Sequence, residues 1–449
     1  MTKKFQIIDR RDFLKRSALG AAGLVLAPSL LAKAKEAGKL RTAHIGLGAM
    51  GMEDLRAIAS HELVEVVALC DVDKNALLNA TALYPNAKTY ADYRILLKEM
   101  EDEIDAVIVS TPDHTHAPAS LMAMKMDKPV YCQKPLTHHV TEARAMKKLA
   151  QKKNLVTQMG IQVHSFYDYK LATLLIQSGI IGKVHTVRAW SPKNWGTDQP
   201  TPTGSDPVPA NLDWNLWLGT APERPFKENE YHPGNWRKVL DFGCGTLGDM
   251  GVHIFDTPYN ALQLDVPMTI TNECRQPTGY GFPENNIVTY EFPATPYTAE
   301  TLKWVWYDGP GAPADHEDLK LPNGEELPDQ GAMFLGEKGR LLLPHFQQLP
   351  KWIVDGQYKE FDVTPFNLGA PVKDYAGESK KHYHQFVDAC LGKGECSAPF
   401  EYSARLTETI LLGVIAGRFP NQTLHWDSKK AKFAEKEANK YLGGKYRKF

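Results

Sequence analysis

Between about residues 41 and 162, short apolar runs alternate with longer stretches whose apolar positions recur every three or four residues. That rhythm predicts strands and helices in alternation, the pattern of a parallel sheet. Residues 43–46, 64–71, 106–111, 129–132 and 156–159 read as strands, with helices near 52–60, 74–84, 93–100, 117–126 and 141–153. After Val266 the period drops to two, and 268–273, 286–292, 302–307, 332–336 and 339–343 read as strands of a largely antiparallel sheet. Residues 380–391 and 402–418 return to the helical period, and a basic, polar tail follows His425. The expected architecture is an α/β domain over 41–162, an α+β domain with a large, open, mainly antiparallel sheet over 163–425, and a tail over 426–449.

A different pattern precedes these domains. Asp9-Arg10-Arg11-Asp12-Phe13-Leu14-Lys15 stands before an apolar run at 17–31 and a small-residue site, Ala32-Lys33-Ala34. The order resembles a twin-arginine export signal over 1–34, removed after Ala34. The run is shorter than the roughly 20 residues that span a bilayer. The expectation is a periplasmic protein that crosses the membrane already folded and is free of it after cleavage. Charge adds little: 52 basic residues face 53 acidic ones, so nucleic acid is not an expected partner. The six cysteines form no CxxC pair, and folding in a reducing compartment predicts free thiols rather than disulfides.

The first candidate chemistry is Gly46-Leu47-Gly48-Ala49-Met50-Gly51, which follows a predicted strand and opens a predicted helix. Asp71 ends the next strand 25 positions after Gly46. This context makes the glycine pattern a Rossmann dinucleotide-binding fingerprint. Gly46 serves the tight turn, Gly48 the approach of the pyrophosphate, and Gly51 close packing of helix on strand. The helix N-terminus favours the phosphates. Asp71 is placed for the adenosine ribose, and its charge would repel a 2′-phosphate. NAD is therefore favoured, with Lys74 keeping NADP open.

Two further motifs carry a family resemblance. Ser110-Thr111-Pro112-Asp113-His114-Thr115-His116, and then Gln133-Lys134-Pro135-Leu136, resemble the Gfo/Idh/MocA oxidoreductases, typified by glucose–fructose oxidoreductase and inositol dehydrogenase. The resemblance implies that Ser110, Thr111, Pro112, His116, Gln133 and Lys134 line the coenzyme, with the lysine at the nicotinamide and the proline often in a cis bond. Gln133 departs from the family's usual glutamate. Downstream, Asp249 and His253 lie four residues apart on a predicted helix and would share one face. No third ligand is marked by spacing, so no metal is expected. The resemblance matches the pair to the family's Asp…His couple. Taking a proton from a sugar hydroxyl while hydride leaves its carbon points to His253 as the base, Lys134 as proton partner and alkoxide stabiliser, and Asp249 as the group that orients the imidazole or binds a neighbouring hydroxyl.

Gln162 and His164 end a strand where the crevice of such a sheet opens, and are candidates for substrate hydroxyls. Tyr231, His232, Trp236 and Arg237 close a segment rich in Trp and Pro, and are candidates to hold a sugar ring or its polar groups. The expected substrate is a small carbohydrate, and the family's open sheet face implies a homo-oligomer, a dimer or tetramer. An exported nicotinamide enzyme has no free pool of coenzyme, so tight binding and redox-neutral cycles are expected. The alternative function is a glycosidase that works by transient oxidation at C3, elimination and re-reduction.

Overall fold

The computed structural model describes residues 38–372 and 374–449, so the signal expected over 1–34 lies outside the described residues. The first domain runs β1 (Leu40–Ile45), α1 (Ala49–Ala59), β2 (Val64–Cys70), α2 (Lys74–Leu83), β3 (Lys88–Tyr90), α3 (Tyr93–Glu99), β4 (Ala106–Val109), α4 (Asp113–Lys125), β5 (Val130–Gln133), α5 (Val140–Lys153) and β6 (Thr157–Gly160). Each apolar run becomes a strand because helices cover both faces of the sheet; β4 and β6 are buried throughout. Aspartates set two of the helix starts: Asp73 accepts from the Asn75 amide at 2.9 Å and Asp92 from the Arg94 amide at 2.8 Å. Only β3, three residues at the sheet edge, goes unannounced by the apolar pattern.

The parallel strands lie in the order β3-β2-β1-β4-β5-β6. The chain order reverses between β1 and β4, and a crevice opens there at the carboxyl ends of the strands. The Gly46 turn after β1, residues 110–112 after β4 and the Lys134–Pro135 bond after β5, which is cis, all reach it.

The second domain contributes α6 (Tyr167–Gln177), β7 (Val184–Ser191), α7 (Trp214–Leu218), α8 (Val252–Ala261), β8 (Thr269–Glu273), β9 (Asn286–Pro293), β10 (Thr298–Asp308), β11 (Gly331–Gly336), β12 (Gly339–Pro344), β13 (Lys351–Val354), β14 (Gln357–Lys359), α9 (Tyr375–Cys390), α10 (Phe400–Ala416), β15 (Thr423–Asp427) and β16 (Lys432–Phe433). These strands form one ten-stranded sheet, ordered β14-β13-β12-β11-β7-β10-β9-β8-β15-β16. All neighbours are antiparallel except β7 and β10. Phe255 of α8 stacks on Trp304 of β10 at 4.1 Å and ties the helical layer to the inner face. The central strand β7 was not predicted. Its buried Arg188, which breaks the apolar alternation, is satisfied by Asp318 at 2.8 Å and by the Tyr307 hydroxyl.

Residues 426–449, expected as a polar tail, are packed structure. Trp426, Phe433, Ala438 and Leu442 are buried among the charged positions of that segment, and β15 pairs with β8. The chain then crosses to α5, where the Tyr446 hydroxyl meets Glu142, and Phe449 arrives at the rim of the crevice under the Arg94 guanidinium, 3.9 Å from its ring centre. The six cysteines are unpaired. Among the described residues no helix is long and apolar enough to cross a membrane.

Candidate active site

The crevice is a cleft of about 560 Å³ between the two domains. Its first half is backbone. Gly46 takes φ +89°, and a Cβ there would lie 2.6 Å from the Ser110 carbonyl carbon. A Cβ on Gly51 would lie 2.1 Å from the Gly46 carbonyl oxygen, so helix and strand pack too closely for alanine. Gly48 is different: it is exposed, in extended conformation, and a Cβ there would meet nothing within 4 Å. That open space lies at the start of α1, which has no side-chain cap and no acidic residue in its first turn. Unpaired amides beside an empty approach fit a pyrophosphate.

The contrast makes a prediction. Gly48→Val is expected to weaken NAD binding roughly tenfold or more, because the side chain fills the approach. Its folding stability should stay within about 0.5 kcal/mol of the parent. Gly51→Ala should do the reverse at first order and cost about 1–3 kcal/mol of stability from overpacking. Calorimetric titration and denaturant melts check both.

Asp71 lines the same half. Its carboxylate accepts from the Leu47 amide at 2.6 Å and the Asp73 amide at 2.8 Å, while burial pushes its pKa up to about 6. Leu47 itself is buried behind the turn and does not line the cleft, whereas Ala49 and Met50 do. His116 sits between the Pro135 and Thr111 carbonyl oxygens, 2.8 Å from each, and braces the two coenzyme-side turns against one another. Burial lowers its pKa to about 4.

The other half holds Lys134, Asp249, Arg237 and His253 together. The helix predicted to carry Asp249 begins as a π-turn, Leu247–Gly251, and passes into α8 one residue before His253. Wide turns of this kind cluster at functional sites. Lys134 Nζ donates to Asp249 Oδ1 at 2.7 Å and to its carbonyl oxygen at 3.0 Å. Arg237 Nε donates to the same Oδ1 at 3.3 Å. The two cations hold the Asp249 carboxyl well below the usual carboxylate range, against the opposing effect of burial. Asp249 therefore positions the lysine and makes no hydrogen bond to the imidazole. His253 Nδ1 is buried without a partner, and burial, reinforced by Lys134, pushes the ring's pKa well below its ordinary value. The imidazole is neutral. Asp113, buried against Cys244, is pushed up to about 7 by burial.

Gln133 raised the question of a missing carboxylate, and the structure supplies one from another element. Gln133 Nε2 donates to both oxygens of Asp54, at 2.9 and 3.0 Å. Asp54 projects from α1 and also accepts from Ser110 Oγ at 2.6 Å and the Tyr383 hydroxyl at 2.8 Å. Burial dominates those donors and raises its pKa to about 7. The Gln133 carbonyl oxygen faces the Lys134 amide at 3.2 Å.

Several expected residues lie elsewhere. Gln162 is buried and donates to the Tyr383 hydroxyl at 2.7 Å. His164 is held by Asp256 at 2.9 Å, and neither residue lines the cleft. Tyr231 is packed in an apolar cluster, stacked on Trp214 at 5.7 Å. His232 does line the cleft but turns to the coenzyme side, 3.5 Å from Asp73. Trp236 and Arg237 remain at the chemical end. The sequence reading missed Asp54, Asp113 as a cleft group, and Lys193. Asp54 carried a legible signal, since it shares the buried face of α1 with Gly51, Leu55 and Ile58.

Comparison with known proteins matches this architecture. Residues 40–161 fit the model of an oxidoreductase family with an NAD-binding Rossmann fold, Gfo/Idh/MocA. Residues 170–278 fit the model of that family's C-terminal alpha/beta domain. Levoglucosan dehydrogenase of Pseudarthrobacter phenanthrenivorans is 25% identical over 166 residues, 37% of this chain and 34% of that protein. Inositol 2-dehydrogenase of Salmonella typhimurium is 33% identical over 149 residues, 32% of this chain and 43% of that protein. The matched stretches thus span less than half the length of either relative. A solved oxidoreductase domain protein from Kribbella flavida superposes with a TM-score of 0.63 at 19% identity, over 86% of this chain and 99% of its own.

Proposed function

We propose, from the premise that this chain belongs to the Gfo/Idh/MocA oxidoreductase family and opens with its NAD-binding Rossmann domain, that it oxidises a hydroxyl of a sugar or sugar derivative with tightly held NAD, in the periplasm. The observation that carries this reading is the Lys134–Asp249 pair, 2.7 Å apart in the coenzyme cleft beside a buried, neutral His253.

When bound, NAD supplies the nicotinamide ring that accepts hydride. The residues of the chain manage the proton. His253, uncharged, takes it from the substrate hydroxyl. Lys134, fixed by Asp249, presents its ammonium to the oxygen on which negative charge develops. Arg237 keeps Asp249 ionised, so the lysine stays anchored. The His232–Asp73 contact between the domains and Phe449 at the rim narrow the cleft, which supports retention of the coenzyme.

A mass spectrum of the protein as purified, under non-denaturing conditions, is expected to show a retained dinucleotide. Incubation with aldoses should then yield paired lactone and alditol. Release of aglycone from aryl glycosides without net coenzyme reduction would assign the glycosidase cycle instead. Absence of affinity for either nicotinamide coenzyme by calorimetry would end the reading.

A further inference from the structure

We infer that the substrate is an anionic sugar, a uronic or aldonic acid, whose carboxylate docks between Arg237 and Lys193. The inference rests on the oxidoreductase reading above and narrows its substrate class.

Three cationic side chains, Lys134, Lys193 and Arg237, line the chemical end of the cleft. One permanent carboxylate, Asp249, faces them, and a single oxygen of it already receives both Lys134 and Arg237. The Asp113 carboxyl is buried against Cys244, and burial pushes it up to about 7 against the pull of Arg237 and Lys134. The acidic residues Asp71, Asp73 and Asp92 also line the cleft. They follow β2 and β3, which lie three and four strand spacings, about 14 and 19 Å, from β5. Positive charge at the chemical end is therefore in excess. Oxidised nicotinamide, itself cationic, adds to that excess, and a neutral sugar leaves it unrelieved.

Arg237 is built as a receptor for a planar anion. Its guanidinium is clasped by two indoles, with the Trp236 ring centre 4.3 Å and the Trp195 ring centre 5.4 Å from its central carbon. Nε is committed to Asp249, and Nη1 makes only a 3.4 Å contact with the Gly234 carbonyl. Nη2 has no partner among the described residues. A fixed guanidinium fork suits a carboxylate, and stacking on the indoles removes most of the entropy cost of ordering it. Lys193 has no ion pair among the described residues, yet it lies near enough to depress the titration of both His253 and His345. Its ammonium can close on the second carboxylate oxygen.

The test compares configurational pairs, glucuronate with glucose and galacturonate with galactose, on the NAD-loaded protein. The acid is expected to show a kcat/KM at least tenfold above that of its neutral partner, lost progressively as salt is raised. Lys193→Gln should shrink that acid-to-neutral ratio at least tenfold, mainly through KM. Arg237→Gln should shrink it as much and also lower kcat for acid and neutral sugar alike, because Arg237 bonds Asp249. Tryptophan fluorescence gives a second readout, because Trp195 and Trp236 flank the docking group. A uronate that changes the fluorescence without being oxidised upholds the charge reading and removes the oxidoreductase one. A neutral sugar preferred over its acid, or a ratio unmoved by both substitutions, overturns the inference.

Discussion

Replacing Lys134 by methionine is expected to lower kcat by about 100- to 10,000-fold, the range that one positioned proton-transfer group supplies. NAD affinity should move far less, because the backbone of α1 would hold the phosphates and Asp71 the ribose. Methionine keeps most of the side-chain volume, so the change removes charge and hydrogen bonding rather than packing. The same geometry assigns Asp249 a subordinate place: its carboxylate holds Lys134 at 2.7 Å and does not reach the imidazole by a hydrogen bond. Asp249→Asn should therefore cost less, about 10- to 100-fold. The double variant should be no slower than Lys134→Met alone, since a residue that acts through another has nothing left to position. Single-turnover reduction of bound coenzyme measures all three. Additive losses would give Asp249 an independent role.

How much of this was legible before the structure depends on the range of the interaction. The glycine turn, Asp71 and the parallel sheet were legible because backbone sterics and apolar periodicity act over a few residues. The motifs that supply Lys134, Asp249 and His253 were visible as segments, but their pairing was not. Lys134 and Asp249 are 115 positions apart, and the helical spacing suggested a link between Asp249 and His253 that the π-turn does not make. Gln162 and His164 were placed in the crevice because their strand ends there. Tyr383 from α9 and Asp256 from α8 capture them instead, and nothing in the local sequence announces those partners. Arg188 hid the central strand of the large sheet for the same reason: its polar head is satisfied by residues more than a hundred positions away. The segment after His425 looked like a solvated tail because single buried residues such as Trp426 and Leu442 are spaced by charges without a period.

Asp54 shows a milder version of that limit. Position 133 carries glutamine in place of the family's usual glutamate, yet its amide donates to both oxygens of Asp54, which brings a carboxyl beneath the Lys134 turn. A single position is thus a poor index of local charge wherever helix and strand pack as closely as they do at Gly46 and Gly51.

His253→Asn is expected to cost about 100-fold or more in kcat, and the pH dependence of the parent shows whether the imidazole is the base. A base must be unprotonated to act. Burial and Lys134 place the His253 pKa well below its ordinary 6.5, so kcat/KM should not fall through this group as pH drops from 8 to 6.5. The acid limb belongs lower. Neighbouring charges then predict the direction of its movement. Lys134 disfavours the imidazolium, so Lys134→Met should raise the His253 pKa and carry the limb to higher pH. Asp249 favours the imidazolium, so Asp249→Asn should carry it lower still. Other buried carboxyls complicate the profile, because burial pushes Asp54 and Asp113 up to about 7 and Asp71, in the coenzyme half of the cleft, up to about 6. The residual activity of His253→Asn separates them: a limb near 7 that survives the substitution belongs to Asp54 or Asp113. A limb below 6.5 that vanishes with the imidazole and moves as stated in Lys134→Met and Asp249→Asn belongs to His253. A limb near 6 that survives belongs to Asp71, and one well below 6 that survives would remove His253 as the proton acceptor.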